Sequence, residues 1–140
     1  MIYIINKKME IKKRNTIQRR IVEEAVVATH SHATPEEIYA YVSLDHPNVS
    51  KATVYRNLKE LSESGKITRI PTPNGADHYD HKNYPHYHVR CEKCGKVFDV
   101  DMPYMYHLVD NISNKHGFKI NGYDLVFSGV CPECQANKIV

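Results

Sequence analysis

The apolar residues of the first half recur every three or four positions, the period of an amphipathic helix. This pattern predicts a first helix over Ile17–Ala28, with Thr16 as its N-cap. A second helix is predicted from Pro35 to about Val42, because a threonine cap, a proline at the first helical position and a glutamate that closes a capping box stand at its start.

A third helix is predicted over residues 50–64. Val54, Leu58 and Leu61 form its apolar stripe, Ser50 is its expected N-cap, and Gly65 is its expected C-terminal stop. Two short strands, Ile67–Pro71 and Ala76–Asp80, then flank an Asn-Gly pair that tolerates the positive φ angles of a tight hairpin.

Three helices followed by a hairpin are typical of a winged helix-turn-helix, in which the third helix enters the major groove of DNA. Polar side chains on the first turns of that helix are suited to phosphates and base edges; they are Lys51, Thr53, Tyr55 and Arg56. An ordinary amphipathic surface helix would show the same pattern, so at this point both interpretations stay open.

The apolar and polar residues of the second half follow a different pattern, which predicts mainly strands. Strands are predicted over 87–90, 97–101 and 118–127, with a helix over about 103–116 that Gly117 ends. The apolar face of that helix would consist of Met105, Leu108, Val109 and Ile112. The chain is therefore predicted to be α+β, with a winged-helix domain over 1–80, a linker over 81–85 and a smaller α/β domain over 86–140.

Charge and composition separate the same two halves. The 140 residues have a formal net charge of +3, but residues 1–75 contain 12 Lys and Arg against 8 Asp and Glu, while the remainder contains 7 against 8. With no apolar run near the ~20 residues that span a bilayer and no signal-peptide core, we expect a cytoplasmic protein without a membrane segment. Thiols stay reduced there, so metal binding is favoured over disulfides for the four cysteines.

The cysteines form two C-x-x-C pairs, Cys91 with Cys94 and Cys131 with Cys134. Four thiolates in two such pairs predict a tetrahedral zinc site. Because the protein would fill all four positions, the zinc would be structural and not catalytic. A redox-active dithiol pair or separate buried thiols are the alternatives.

A second group of possible ligands lies just before the first cysteine pair. His86 and His88 alternate on a predicted strand, so their imidazoles share one face, and a hairpin could bring Asp80 and Asp99 beside them. Nitrogen and oxygen ligands without thiolates suit Fe(II), Mn(II) or Zn(II). Histidines on a solvated surface are the alternative interpretation.

Several motifs together resemble the ferric uptake regulator family of metal-sensing bacterial repressors. The similarity covers nearly the whole chain and rests on residues 18–19, 32–39, 50–58, 86–96 and 129–134, which include the sequences Ala52-Thr53-Val54-Tyr55-Arg56-Asn57-Leu58 and His86-x-His88-x-x-Cys91-x-x-Cys94. The resemblance implies a homodimer that uses its second domain for dimerisation and binds palindromic operator DNA when a regulatory metal is present.

Within that family the chain is most similar to the peroxide-sensing repressors. Their regulatory set of three histidines and two aspartates falls on His32, Asp80, His86, His88 and Asp99. The resemblance implies that Fe(II) or Mn(II) binds there and that peroxide oxidises His32 or His86 when iron is bound. Iron-uptake members commonly have an aspartate between the paired histidines and a later histidine, where this chain has Tyr87 and Gly122.

Other functional classes remain possible on the residues alone. An iron- or zinc-uptake regulator would sense metal without peroxide chemistry. A metalloenzyme could use the His/Asp set, although the sequence offers neither an evident general base beyond the ligands nor a phosphate-binding Gly-rich loop. A zinc-containing interaction module that does not bind DNA is the third alternative. We therefore expect a repressor and not an enzyme.

Overall fold

The computed structural model describes residues 2–29, 32–73 and 75–137. Its elements are, in chain order, α1 (Ile2–Thr29), α2 (Pro35–Asp45), α3 (Lys51–Glu63), β1 (Thr68–Ile70), β2 (His78–Asp80), β3 (Tyr87–Cys91), β4 (Val97–Val100), β5 (Val126–Gly129) and α4 (Pro132–Ala136). Three helices precede all five strands and a short helix follows them, so the predicted α+β class is confirmed.

Helix α1 is much longer than predicted. It continues through Thr16, which is not an N-cap: its hydroxyl donates to the carbonyl of Lys12, one turn earlier in the same helix. Within the predicted range, Val22, Ala25 and Val26 lie in the core, whereas Ile17, the first residue of that range, is 48% exposed. The basic residues before position 16 are helical and exposed.

The ends of the next two helices follow the predicted signals. Thr34 caps α2 by accepting the N–H of Glu37, and Ser50 caps α3 by accepting the N–H of Thr53. At the end of α3, Gly65 adopts φ +79°, a left-handed conformation that suits glycine. The N–H of Lys66 donates to the carbonyl of Leu61, which completes a Schellman motif.

One apolar cluster joins the three helices to the first hairpin. Its most buried members come from all three helices: Val22, Ile38, Val54, Leu58 and Leu61. Tyr79 of β2 packs against the same cluster, and its N–H donates to the carbonyl of Ala33, just before α2. The hairpin is thereby attached to the connection between α1 and α2.

Strands β1 and β2 form the predicted antiparallel hairpin, with Thr68 opposite Asp80. Asn74, in the expected turn, lies outside the described residues. In the second sheet β3 is central, antiparallel to β4 and parallel to β5. The register places His88 opposite Asp99 on β4 and opposite Val126 on β5.

The helix predicted over 103–116 is wrong. This stretch contains only a single 3-10 turn, Leu108–Asn111. A short helix depends on tertiary contacts along its apolar face for most of its stability. Along the described chain that face lacks cover, since Met105 is 36% exposed and Ile112 is 42% exposed.

The strand predicted over 118–127 is also wrong for most of its length, because regular pairing begins only at Val126. Parallel pairing with β3 determines where this strand starts. The residues before it, including Asn121 and Gly122, are weak strand formers. Helix α4, which follows β5, is absent from the sequence-based prediction.

None of the helices within residues 2–29, 32–73 and 75–137 combines the length and the apolarity needed to cross a bilayer.

Replacing Leu58 by alanine tests the helical core. The Leu58 side chain is completely buried, so Leu58→Ala should lower the free energy of unfolding by about 3 kcal/mol. Leu44→Ala, at a leucine that is 78% exposed, is the matched control and should change it by less than about 0.5 kcal/mol. Urea unfolding followed by the helical circular dichroism signal measures both, and equal effects would contradict the proposed core.

Candidate metal centres

The five predicted histidine and aspartate ligands converge at the meeting point of the two halves. Four of them lie on or next to strands of the two sheets: Asp80 ends β2 of the first sheet, His86 immediately precedes β3, His88 lies on β3 and Asp99 lies on β4 of the second sheet. His32 comes from the connection between α1 and α2 and adopts φ +52°. One candidate ligand atom from each of the five residues lies within 4.8 Å of the others.

Each of the three imidazoles directs its Nε2 atom toward the same two carboxylate oxygens. Oδ1 of Asp99 lies 2.8, 3.0 and 3.3 Å from Nε2 of His32, His86 and His88. Oδ2 of Asp80 lies 3.2, 2.9 and 3.2 Å from the same three nitrogens. Ligand atoms bound to a transition metal at about 2.1 Å and at right angles lie about 3.0 Å apart. The donor set therefore fits Fe(II), Mn(II) or Zn(II).

The cluster is largely removed from solvent, and this shifts its titration. Burial alone would raise the pKa of Asp80, but hydrogen bonds from His32 and His88 outweigh burial and hold the pKa far below its ordinary value. Burial would likewise raise the pKa of Asp99, but hydrogen bonds from Lys82 and His32 lower it overall. Burial would lower the pKa of His32, but the two carboxylates raise it overall. The two carboxylates therefore favour the protonated form of His32 when no metal is bound.

Outer contacts orient two of the ligands. Nδ1 of His86 donates to the carbonyl of Tyr84 at 2.8 Å, which leaves Nε2 to face the cluster. Nδ1 of His78 donates to the carbonyl of His32 at 2.6 Å and so fixes the backbone of that ligand. His78 is buried, with 8% of its surface exposed, and the sequence analysis does not identify it. The only sequence feature that connects it with the ligands is its position two residues before Asp80.

Lys82 is a second residue that the sequence did not identify. Its ammonium donates to Oδ2 of Asp99 at 2.8 Å, and its backbone N–H donates to Oδ1 of Asp80 at 3.0 Å. The pKa of Lys82 is raised by its hydrogen bond with Asp99. Lys82 lies in the polar segment predicted to be a linker, so composition alone could not associate it with the ligands.

The four cysteines converge at the other end of β3. Sγ of Cys94 lies 3.9 Å from Sγ of Cys131, close to the ~3.8 Å expected between thiolates that bind zinc at about 2.3 Å in a tetrahedron. Cys91 ends β3, and Cys131 caps α4 by accepting the N–H of Cys134. The chemistry and spacing of this donor set fit zinc and leave no fourth position for substrate.

Backbone hydrogen bonds prepare one thiol for a metal. The N–H groups of Cys131 and Cys94 donate to Sγ of Cys91 at 3.4 Å and lower the pKa of that thiol to about 6. In contrast, the hydrogen bond with Cys131 raises the pKa of Cys134 to about 12. Because metal ligands must be deprotonated, a bound cation would have to replace the proton that Cys134 otherwise keeps.

The side chains predicted to contact DNA differ in how far contacts within the protein already engage them. Lys51 pairs with Glu36 at 3.3 Å and lies 5.6 Å above the centre of the Tyr55 ring. Arg56 is exposed beside a cleft between α1 and α3. Thr53 is engaged in the helix cap, because Ser50 donates to its hydroxyl at 2.8 Å and accepts its N–H.

Comparisons with known proteins agree over most of the chain. A profile of the ferric uptake regulator family matches residues 10–128. The peroxide-responsive repressor PerR of Staphylococcus saprophyticus is 33% identical over 122 residues, which make up 87% of this chain and 82% of that protein. The corresponding repressor of Staphylococcus aureus is 32% identical over the same shares of each chain.

Two solved structures show the same likeness in three dimensions. The peroxide stress regulator of Campylobacter jejuni is 30% identical, with a TM-score of 0.69 and coverage of 96% of this chain and 99% of that chain. The ferric uptake regulator Fur of Helicobacter pylori, described as having three functional metal binding sites, is 27% identical. Its TM-score is 0.68, with coverage of 94% and 91%.

The raised pKa of His32 predicts how pH affects the stability of the protein when its His/Asp cluster is empty. A folded-state pKa above 6.5 means that ion pairing of His32 stabilises the fold fully below pH ~6.5, and that this contribution is lost as pH rises through the folded-state value. The two aspartates, with lowered pKa values, contribute above pH ~4 and lose their effect only on acidification. Thermal unfolding of the protein with zinc bound to its cysteines and the His/Asp cluster empty should therefore show stability that declines as pH rises above about 6.5.

His32→Asn tests the origin of that decline, because asparagine tolerates a left-handed backbone but does not titrate. The decline should flatten in this variant. His107→Asn is the control, since the His107 side chain is 90% exposed and outside the cluster, and it should leave the pH profile unchanged. A decline of the same size in His32→Asn would show that another group causes it.

Proposed function

Because the chain belongs to the ferric uptake regulator family, we propose that it is a metal-dependent DNA-binding repressor that senses peroxide through oxidation of its ligand histidines. Members of this family are transcriptional regulators and not enzymes; they bind DNA and act as dimers. The observation that carries the proposal is the position of His32. It is contributed by the helical half, yet its Nε2 lies 2.8 Å from Asp99 of the second sheet.

The proposed switch follows from that position. With metal bound, His32 holds the connection between α1 and α2 against β2 and β4. Loss of this ligand releases the helices from the sheet, so metal shifts the population toward the arrangement that binds DNA. We assign the regulatory Fe(II) or Mn(II) to His32, Asp80, His86, His88 and Asp99, and the structural zinc to the four cysteines.

Fe(II) bound in this set would catalyse cleavage of the O–O bond of peroxide and would undergo no net change in its own oxidation state. One peroxide oxygen would be inserted into an imidazole C–H bond and the other would leave as water, so that the carbon would lose the two electrons that peroxide gains. His32 and His86 are the expected targets. Their side chains are 12% exposed, whereas that of His88 is 5% exposed, and a small solute reaches the more open rings first.

The DNA contacts are assigned to the exposed start of α3. Tyr55 is 37% exposed and Arg56 is exposed, so both can reach a groove, and Lys51 is free to exchange Glu36 for a phosphate. We assign Thr53 to the same surface through its position on α3. The proposed division is DNA binding by 1–80, a linker over 81–85, and dimerisation and metal binding by 86–140, in the cytoplasm.

Exposed apolar residues support the homodimer. The segment between β4 and β5 leaves several large side chains uncovered along the described chain: Tyr106 is 72%, Phe118 is 71% and Ile112 is 42% exposed. Such a concentration of apolar surface is typical of a protein interface. A two-fold dimer would present two copies of α3 and would thereby match a palindromic operator.

A cleft between α1 and α3 extends the proposed DNA surface. Its volume is about 460 Å³, and the cations that line it are Lys8, Lys12, Arg19 and Arg56. The only acidic residue among its lining residues within the described chain is Glu60, which already pairs with Arg19 at 2.6 Å. The remaining positive charge lies beside the DNA-reading helix, so phosphates of the flanking backbone fit this cleft.

Metal-dependent DNA binding tests the function. A duplex selected from a random library by the Mn(II)-loaded protein should bind at least tenfold more weakly to the metal-free protein at the same salt concentration. Arg56→Ala should abolish binding by the loaded protein, whereas Lys96→Ala, at an exposed lysine just before β4, should not. Equal binding by metal-free and Mn(II)-loaded protein would contradict the switch.

The same preparation separates peroxide sensing from metal sensing. After anaerobic loading with Fe(II) and one addition of peroxide, mass spectrometry should find an added oxygen on His32 or His86, together with loss of DNA binding. The exposed His107 is the internal control and should stay unmodified. Metal-dependent binding without oxidation of either histidine would identify an iron- or zinc-uptake regulator.

Salt dependence tests the cleft. Each phosphate contact contributes about 0.9 to the slope of the logarithm of affinity against the logarithm of salt concentration. Lys8→Gln with Lys12→Gln should therefore reduce the magnitude of the slope by about 2 per protomer, without changing the preferred sequence. The control pair Lys93→Gln and Lys96→Gln makes the same charge change at two exposed lysines of the second half, and an equal effect there would refute the assignment.

A further inference from the structure

Residue 82 contacts both carboxylates of the histidine and aspartate cluster, each at the oxygen that faces away from the imidazoles. Its backbone N–H donates to Oδ1 of Asp80 at 3.0 Å, and its ammonium donates to Oδ2 of Asp99 at 2.8 Å. The opposite oxygens, Oδ2 of Asp80 and Oδ1 of Asp99, face the three imidazole nitrogens. One residue therefore determines which oxygen each aspartate presents to the cluster.

Lys82 is itself held in place. Its carbonyl accepts a hydrogen bond of 2.7 Å from the hydroxyl of Thr68, at the start of β1. Thr68 lies directly opposite Asp80 in the hairpin register. The Lys82 side chain is 36% exposed, so the ammonium is partly shielded from water while it pairs with Asp99. This anchoring gives Lys82 a defined direction toward the cluster.

We infer that Lys82 is a positioning residue that restricts Asp99 to one ligating oxygen and thereby keeps one coordination position of the regulatory metal open to a small ligand. The inference rests on the proposed function. A carboxylate can bind a metal through one oxygen or two. Ligation through Oδ2 of Asp99 would compete with the Lys82 ammonium for the same oxygen, which favours ligation through Oδ1 alone.

The number of donor atoms then leaves room for a ligand. Three imidazole nitrogens and two carboxylate oxygens make five donors, whereas Fe(II) and Mn(II) readily accept six. A metal held by these five residues would therefore be able to bind peroxide or water without losing a protein ligand. The Oδ1 atom of Asp80 is engaged in the same way, by the N–H of Lys82, with Nδ1 of His81 a further 3.5 Å contact.

The ammonium also affects metal affinity. A positive charge beside Asp99 weakens the attraction of that carboxylate for a divalent cation, an effect reduced by the partial exposure of Lys82. Removal of the ammonium should therefore strengthen metal binding. It should also allow Oδ2 of Asp99 to bind the metal and so fill the open position. A residue that only supports the fold would weaken metal binding when removed, so the direction of the change distinguishes the two roles.

Lys82→Met tests the inference on the full-length, zinc-loaded protein. Its dissociation constant for Mn(II) should fall by about twofold to fivefold. Nitric oxide, a probe for an open position on Fe(II), should bind at least tenfold more weakly, as measured by the EPR signal of the iron–nitrosyl adduct. The water-proton relaxation rate of the Mn(II)-loaded protein should fall to the value expected for loss of one exchangeable water.

Three further variants control the experiment. Lys82→Arg retains a cation and should behave like wild type. Lys82→Ala should behave like Lys82→Met, which keeps the test available if one of them fails to fold. Lys66→Met makes the same change at an exposed lysine outside the cluster and should have no effect.

Wild-type nitric oxide binding and relaxation in both truncations, or weaker Mn(II) binding in both, would overturn the inference. Such a result would leave the repressor function intact, because metal-dependent DNA binding by the wild type is measured separately. Failure of that binding in the wild type would instead refute the proposed function, whatever the Lys82 variants do.

Discussion

The structure depends on the need to place positive charge between two carboxylates that share one largely dry site. Asp80 is 3% exposed and faces the same three nitrogens as Asp99. Buried like charges of this kind are stable only when a cation or a proton lies among them. Because the donors come from the α1–α2 connection and from β2, β3 and β4, whatever supplies that charge also joins the helical half to the second sheet.

The sequence predicts the part of the site that local geometry determines. His86 and His88 share a face because side chains alternate along a strand, and hairpin pairing brings Asp99 opposite His88. Spacing could not predict His32, because its position depends on how α1, α2 and β2 pack together; only the family resemblance pointed to it. The role of Lys82 depends on the path of one loop, which no periodicity encodes.

The failed predictions have a common cause. A periodic apolar pattern predicts which face of a segment is to be covered, and it does not say what covers it. For Leu58 the cover lies within the same chain, and the predicted helix forms. For Met105 and Ile112 no residue within the described chain buries the side chains fully, and the segment has only a 3-10 turn. The real start of α1 was missed because its first residues are exposed and follow no core-facing period.

The parallel pairing of β3 with β5 has a consequence for the order in which the protein folds. The register joins Cys91 to Gly129 across a long segment with little regular structure, whereas the helical core is built from neighbouring helices. Long loops close slowly, and their entropic cost is met before their contacts form. The helical half can therefore fold first as the chain leaves the ribosome. Zinc bound by the four cysteines, as proposed, would link residues beside both strands and would stabilise the loop once it has closed.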